Sequence, residues 1–403
     1  LLRLSVVSGG ERLATLEPTA RTFVLPPAGA VAERSYILSR FAWVQRRGDG
    51  LALESPLAPA RIVLHDPRAA ALVHALARPG TAEELGARVA GLPVEAVTQL
   101  LGLLIHSGVA CAVGDDGATA EDTNPALRSW QFHDLLFHAR SREGRHDGPV
   151  GGTYPLAGQT DPPPALRPQM AGEAIDLYRP DLQGLQREDP PYALVQERRR
   201  SVRQYGAEPI TDRQLGEFLF RVARVTDRQV MQIETPAGPV RMEFARRPYP
   251  SGGGLYELEV YAAVASCRGV SPGLYRYDGL DHKLERRAGL TAEVERLLAG
   301  AALAAGLKPR NVQVLLVLAA RLPRLAWKYT GLAYALVLKH VGVVFQTMYL
   351  AATAMGLAPC AVGLGDSDLF AKAANVDYYA ESSVGEFLLG SAGGAEERQG
   401  MHA

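Results

Sequence analysis

Apolar positions along the chain change period several times, and each change marks an element. Residues 1–60 alternate apolar and polar, as at Leu2, Leu4 and Val6 or Thr22 and Val24, with Pro and Gly breaks. That period of two predicts a few short strands. From Asp66 the period lengthens to that of a helix, predicted over 68–78 and stopped by Pro79-Gly80. Thr81-Ala82-Glu83-Glu84 is a capping box, which opens a second helix from Ala82 to about Ala90. After Gly91-Leu92, Pro93 fits the first position of a third helix reaching Ser107. Gly108 ends it, and 109–113 reads as a strand. Three helices followed by a strand outline a winged-helix-like domain over 1–115.

The next stretch breaks the pattern. Pro162-Pro163-Pro164, Pro168, Pro180, Pro190 and Pro191 preclude long regular elements, so 116–195 is expected to be a connector lying along the next domain. One short amphipathic helix fits 130–137. A second domain is expected over 196–395. Thr211-Asp212-Arg213-Gln214 is another capping box, opening a helix to about Val225. Strands are predicted at 259–264, 312–318 and 384–389. A hairpin joins Tyr275-Arg276-Tyr277 to Lys283-Leu284-Glu285, and helices fit 291–298 and 334–355. Helices and strands alternate without clean βαβ repeats. The expected class is α+β, a mixed sheet packed against the long apolar helix.

Composition narrows the options. The 403 residues allow two or three domains at roughly 150 residues each. The 43 basic residues balance 43 acidic ones, which argues against bulk binding to nucleic acid or an anionic membrane. The third helix of the winged-helix outline, 93–107, has no Lys or Arg, so it cannot hold DNA phosphates. Cys111, Cys267 and Cys360 are odd in number and widely spaced, which fits a reducing cytoplasm. The N-terminus has no basic flank before an apolar core, so no signal peptide is expected, and its start at Leu implies residues upstream. The run 341–365 carries no charge over a membrane-spanning length, yet its Gln, Thr, Pro and Gly residues favour a buried core or dimer helix. Cys360 reads as a packing residue and His340 as a hydrogen-bonded core histidine. His133 and His138, five apart, do not share a helix face, and no metal site is expected.

Two clusters carry the candidate chemistry. Arg198-Arg199-Arg200-Ser201-Val202-Arg203 gathers fixed positive charge and a hydroxyl, which suits a phosphate. Pro250-Ser251-Gly252-Gly253-Gly254 offers backbone bare enough for a flat ring to lie against. Together they point to a nucleotide-like cofactor.

With these motifs the second domain resembles the FMN-dependent nitroreductase fold, and within it the SagB-type azoline dehydrogenases of ribosomal-peptide pathways. The resemblance implies that Arg199, Arg200, Ser201 and Arg203 meet the flavin phosphate and ribityl chain. It implies that Pro250, Ser251, Gly252 and Gly253 line the isoalloxazine. Pro359, Cys360, Ala361, Val362 and Gly363 resemble the loop over the ring's other side. The adjacent pair Lys328-Tyr329 is similar to the catalytic pair of the azoline enzymes, with either residue open as the base. The run from His133 to Arg142 looks like that subfamily's connector. One departure is the lack of a basic residue after Leu389-Gly390 until Arg398, which leaves the phosphate to the first cluster, helped by Arg321 or Arg324.

The implied reaction is oxidation of peptide thiazolines or oxazolines to thiazoles or oxazoles. The implied partners are a second copy of the chain, an azoline-containing precursor peptide and a cyclodehydratase, with no nucleic acid or membrane. The first domain resembles peptide-recognition domains; a purely structural role is the other reading. The alternatives for the whole are an NAD(P)H-dependent nitro- or quinone reductase and a non-catalytic scaffold of a cyclodehydratase complex.

Overall fold

The structure, a computed structural model, describes residues 2–24, 31, 33–169 and 172–393. The chain divides into two compact units, Leu1–Gly151 and Gly152–Ala403.

In the first unit the alternating stretch folds into β1 (Leu4–Ser8), β2 (Glu11–Pro18), β3 (Tyr36–Leu38), β4 (Trp43–Arg47), β5 (Gly50–Glu54) and β6 (Ala60–Leu64). Five of these form one antiparallel sheet in the order β1-β2-β6-β5-β4. Helices α1 (Pro67–Ala75), α2 (Ala82–Ala87) and α3 (Val94–His106) follow. The Thr81–Glu84 capping box forms reciprocally at the start of α2. Pro93 sits at the N-cap of α3, one position earlier than expected. The apolar face of α3, including Val97, Leu100, Leu101 and Leu104, shares one core with Leu13, Leu16, Ile62 and Leu72. Strand β7 (Ala110–Ala112) pairs back with β3, so no hairpin wing follows α3 among the described residues. Short α4 (Ala120–Thr123) and α5 (Phe132–Arg140) complete the unit, α5 starting two residues later than predicted.

The proline-rich stretch is divided between the units. Its part in the second unit carries only β9 (Ala174–Asp176), α6 (Leu182–Glu188) and α7 (Tyr192–Arg198), while β8 (Gly151–Gly152) falls at the division. The second unit continues with α8 (Asp212–Ala223), β10 (Asp227–Thr235), β11 (Gly238–Arg246), β12 (Leu258–Val264), β13 (Gly273–Asp278), β14 (Lys283–Ala288) and α9 (Ala292–Ala304). Then come β15 (Val314–Arg321), α10 (Leu322–Ala326), β16 (Tyr329–Thr330), α11 (Ala333–Ala354), β17 (Leu357–Val362), α12 (Ser367–Ala374) and β18 (Glu381–Ser391).

Seven strands form one sheet in the order β17-β18-β15-β12-β13-β14-β9. Every neighbouring pair is antiparallel, not mixed as expected. The reason is connectivity: a hairpin joins β13 to β14, and the longer helical connections also return the chain in the opposite sense. One core cluster takes in Phe218 and Val222 of α8 with Val337, Val344 and Met348 of α11. Another joins Val294 and Leu298 of α9 to Leu369 and Phe370 of α12.

Helix α11 meets the sheet closely at Gly385, where a Cβ would lie 2.7 Å from Val341 Cγ1. The uncharged run 341–365 is therefore not one span. The helix ends at Ala354, Gly356 turns the chain at φ 66°, and β17 follows. Among the described residues, helix α11 alone is long and apolar enough to cross a membrane, but one face is core while Tyr334 and Leu338 on the other stay exposed.

Candidate functional site

Arg321 ends the buried strand β15, and α10 starts at once with Pro323 in its first turn, a position where a missing N–H costs nothing. Trp327 caps the helix from inside the core, its Nε1 donating to Thr160 O at 3.0 Å. Tyr154 N donates to the carbonyl of Lys328 at 3.0 Å, and Tyr154 packs edge-on against Trp327. Tyr154 holds a left-handed φ of 53°, which costs a non-glycine residue and is kept only where surroundings impose it. Lys328 and Tyr329 emerge half-buried from this clamp.

The glycine loop lies beneath them. Gly252–Gly254 is a single tight turn with Gly253 at φ 63°. A Cβ on Gly253 would stand 2.5 Å from Tyr329 Oη and 2.6 Å from Lys328 Nζ. Both functional groups thus close on a backbone position that has no side chain. Gly252 N donates to His340 Nε2 at 2.7 Å, and His340 Nδ1 lies 2.7 Å from Oε1 of the fully buried Glu257. The expected core histidine is hydrogen-bonded as read, with one partner in the loop itself.

The second cluster assembles around Tyr349. Arg199 follows the C-terminus of α7, and 199–204 has no regular secondary structure. Val202 N donates to Pro359 O at 2.8 Å, docking this segment on β17. Tyr349 Oη accepts from Ala361 N at 2.8 Å and shares a 2.6 Å hydrogen bond with Ser201 Oγ. The guanidinium of Arg199 sits 5.2 Å from the Tyr349 ring centre. No carboxylate lies within 4.0 Å of Arg199, Arg200 or Arg203 among the described residues. Positions 358–362, expected as a loop, are instead an edge strand; Pro359 is tolerated there because an edge leaves one side of the ladder unpaired. Only Gly363 lies beyond its end.

The donors of Arg321 and Arg324, expected to help with a phosphate, are engaged within the protein. Arg321 donates to the carbonyls of Pro164 and Ala165 and faces Glu259; Arg324 donates to the carbonyls of Leu255, Pro163 and Glu243. Both are buried, and desolvation lowers the pKa of Arg324 to about 10.

Burial also separates the two candidate bases. It lowers the pKa of Lys328, since an ammonium loses water there. It raises that of Tyr329, with Tyr154 adding to the effect. The Lys328 ammonium lies 5.9 and 5.4 Å from the ring centres of Tyr154 and Tyr329, an attraction that opposes part of the desolvation. Burial first, against Arg203, pushes up the Cys360 thiol, which suits its packing role.

The residues fit a flavin nucleotide by their chemistry. A bare glycine turn offers a flat surface, and three arginines without carboxylate partners, with Ser201, offer donors to a phosphate. Helix α11 carries both His340 and Tyr349, roughly 13 Å apart along its axis, so one helix spaces the two clusters. In the first unit, a separate cavity of about 540 Å³ is lined by Trp43, Gln45, Glu54, His133, Leu136, Phe137 and Arg140.

Comparison with known proteins matches residues 197–390 to the nitroreductase family model. A curated relative, the "Putative nitroreductase MJ1384" of Methanocaldococcus jannaschii, is 33% identical over 192 residues, covering 48% of this chain and 85% of the relative. This chain belongs to the nitroreductase family. Residues 36–147 of this family member also match the model for the cyanobactin oxidase ThcOx. Among solved structures, the "putative nitroreductase" of Ralstonia eutropha is 21% identical, with TM-score 0.41, covering 61% of this chain and 99% of its own. The E. coli microcin synthetase McbBCD complex with truncated pro-MccB17 is 19% identical, with TM-score 0.40, covering 64% and 87%.

Proposed function

We propose that this nitroreductase-family oxidoreductase is an FMN-dependent azoline dehydrogenase, oxidising peptide thiazolines or oxazolines to thiazoles or oxazoles. The observation that carries this reading is the closure of Lys328 Nζ and Tyr329 Oη over Gly253. The cyanobactin oxidase match over 36–147 supports an oxidase of peptide natural-product synthesis.

Arg199, Arg200, Arg203 and Ser201 would hold the FMN phosphate, Pro250, Ser251, Gly252 and Gly253 one side of the ring, and the segment from Pro359 to Gly363 the other. When bound, FMN supplies the acceptor for the hydride lost from one azoline carbon. The adjacent carbon, bearing the backbone carbonyl, carries the acidic hydrogen. Lys328 takes that proton, because burial makes its neutral amine accessible. Tyr329 stays protonated and donates to the substrate carbonyl oxygen.

The working form is a homodimer in the cytoplasm, with the exposed apolar face of α11 covered by a second copy and the three cysteines free. The precursor peptide also adds to the first unit. Strand β4 is one edge of its sheet, open to strand addition, and borders the apolar cavity. A cyclodehydratase supplies the azoline.

A reductase fed by NAD(P)H is the second reading, favoured by the nitroreductase relative over 192 residues. The two separate in one anaerobic experiment on the purified flavoprotein. A thiazoline peptide alone is expected to bleach the flavin spectrum. Bleaching by NADPH with no response to the peptide would replace the azoline reading by the reductase one.

A further inference from the structure

A backbone N–H can only donate, so the Gly252 contact makes His340 Nε2 an acceptor. The neutral ring then carries its hydrogen on Nδ1 and donates it to Glu257. One side of the imidazole is fixed by a fully buried carboxylate and the other fixes a loop.

The loop's other anchors flank the glycines: Ser251 Oγ donates to Glu257 at 3.5 Å, and Arg324 donates to the carbonyl of the buried Leu255. Gly252, Gly253 and Gly254 contribute no side-chain packing. Within the turn, Gly254 N donates to Ser251 O at 3.1 Å, and beyond it Tyr256 N donates to Ser251 Oγ at 3.0 Å. The next residue, Gly253, is the one over which Lys328 and Tyr329 close. Displacing Gly252 therefore displaces the surface these two groups face.

Resting on the FMN reading above, we propose that His340 is a positioning residue: Glu257 sets its tautomer, and its Nε2 pins Gly252 so that Gly253 is held against Lys328 and Tyr329. His340 touches neither substrate nor reacting atoms in this role. It acts through the loop, and its loss acts on turnover rather than on the capture of peptide.

The test pairs two variants. Gln at 340 can place an acceptor oxygen near the lost Nε2; Leu cannot. In H340L, hydrogen exchange over 250–256 is expected to quicken by about tenfold or more, since a half-buried donor loses its partner. Exchange in β12 and β15 stays slow, kcat falls and the peptide KM holds. H340Q is expected to recover most of both. Unchanged loop exchange in H340L, or no recovery in H340Q, would overturn the proposal. If H340L does not fold, nitrogen-15 NMR of histidine-labelled wild-type protein decides. A hydrogen on Nδ1 with bare Nε2 supports the proposal; a hydrogen on Nε2 rejects it. Exchange and tautomer can be read without flavin, so a protein that binds no FMN would sink the functional reading and leave this one still decidable.

Discussion

Lys328 loses water on folding and its ammonium is disfavoured, whereas the same burial disfavours the phenolate of Tyr329. The sign for pH follows. Below the folded pKa of Lys328 the base is protonated and idle; turnover rises as pH climbs through that value, which lies under the ordinary 10.5. Single-turnover flavin reduction across pH is expected to show this limb. K328R keeps the charge but has no base. It should lose the limb and about two to four powers of ten in rate while retaining flavin; the same limb in K328R would remove Lys328 as the base. The adjacent Lys-Tyr pair and the triple glycine could be read in the sequence because each is contiguous. The partners of His340 and Tyr349 could not, since they stand 88 and 148 residues away, at Gly252 and Ser201. A lone Tyr or His on an apolar helix gives no local sign of what its polar atom will meet.

Among the elements, those with a clear apolar period or a capping box were legible: α2 and α8 start where Thr81 and Thr211 predict, and β12, β15 and α11 lie close to expectation. The hairpin β10–β11 was not anticipated. It leaves most of β10 exposed, so no alternation of apolar and polar residues marks it. Strand β17 was hidden by its proline, which an edge position tolerates. Helix α11 serves as the spine of the site through Tyr349. Y349F removes the acceptor of Ala361 N and the link to Ser201, which should cost about 1–3 kcal/mol of stability. FMN should bind about tenfold or more weakly, read by quenching of flavin fluorescence on titration. Unchanged FMN affinity would separate Tyr349 from the phosphate cluster.

For the whole molecule, the outward face of α11 sets the expected assembly. Tyr334 and Leu338 are 48% and 43% exposed on a helix otherwise rich in apolar residues. A charge there is incompatible with a buried helix pair. L338D is expected to run as a monomer in light scattering where wild type runs as a dimer; a monomeric wild type would refute the dimer. The sequence led to an expectation of two or three domains with a connector between them, and gave no sign that the proline-rich stretch would be shared out between two units. Its prolines report only what cannot form there, not where the chain goes.

That path is set by buried cations. Three successive carbonyls, of Pro163, Pro164 and Ala165, each accept from Arg321 or Arg324, and Trp327 holds Thr160. Arginine cannot discharge itself to escape such a setting, so these contacts act as fixed pegs in the register of the chain. An insertion or deletion upstream cannot slide past them to reach the sheet, and since Thr153 bonds Thr330 and Tyr154 bonds Lys328, any change in length has to be taken up before Thr153. Evolution is thus free to lengthen or shorten what precedes Thr153 while the neighbourhood of Lys328 keeps its alignment.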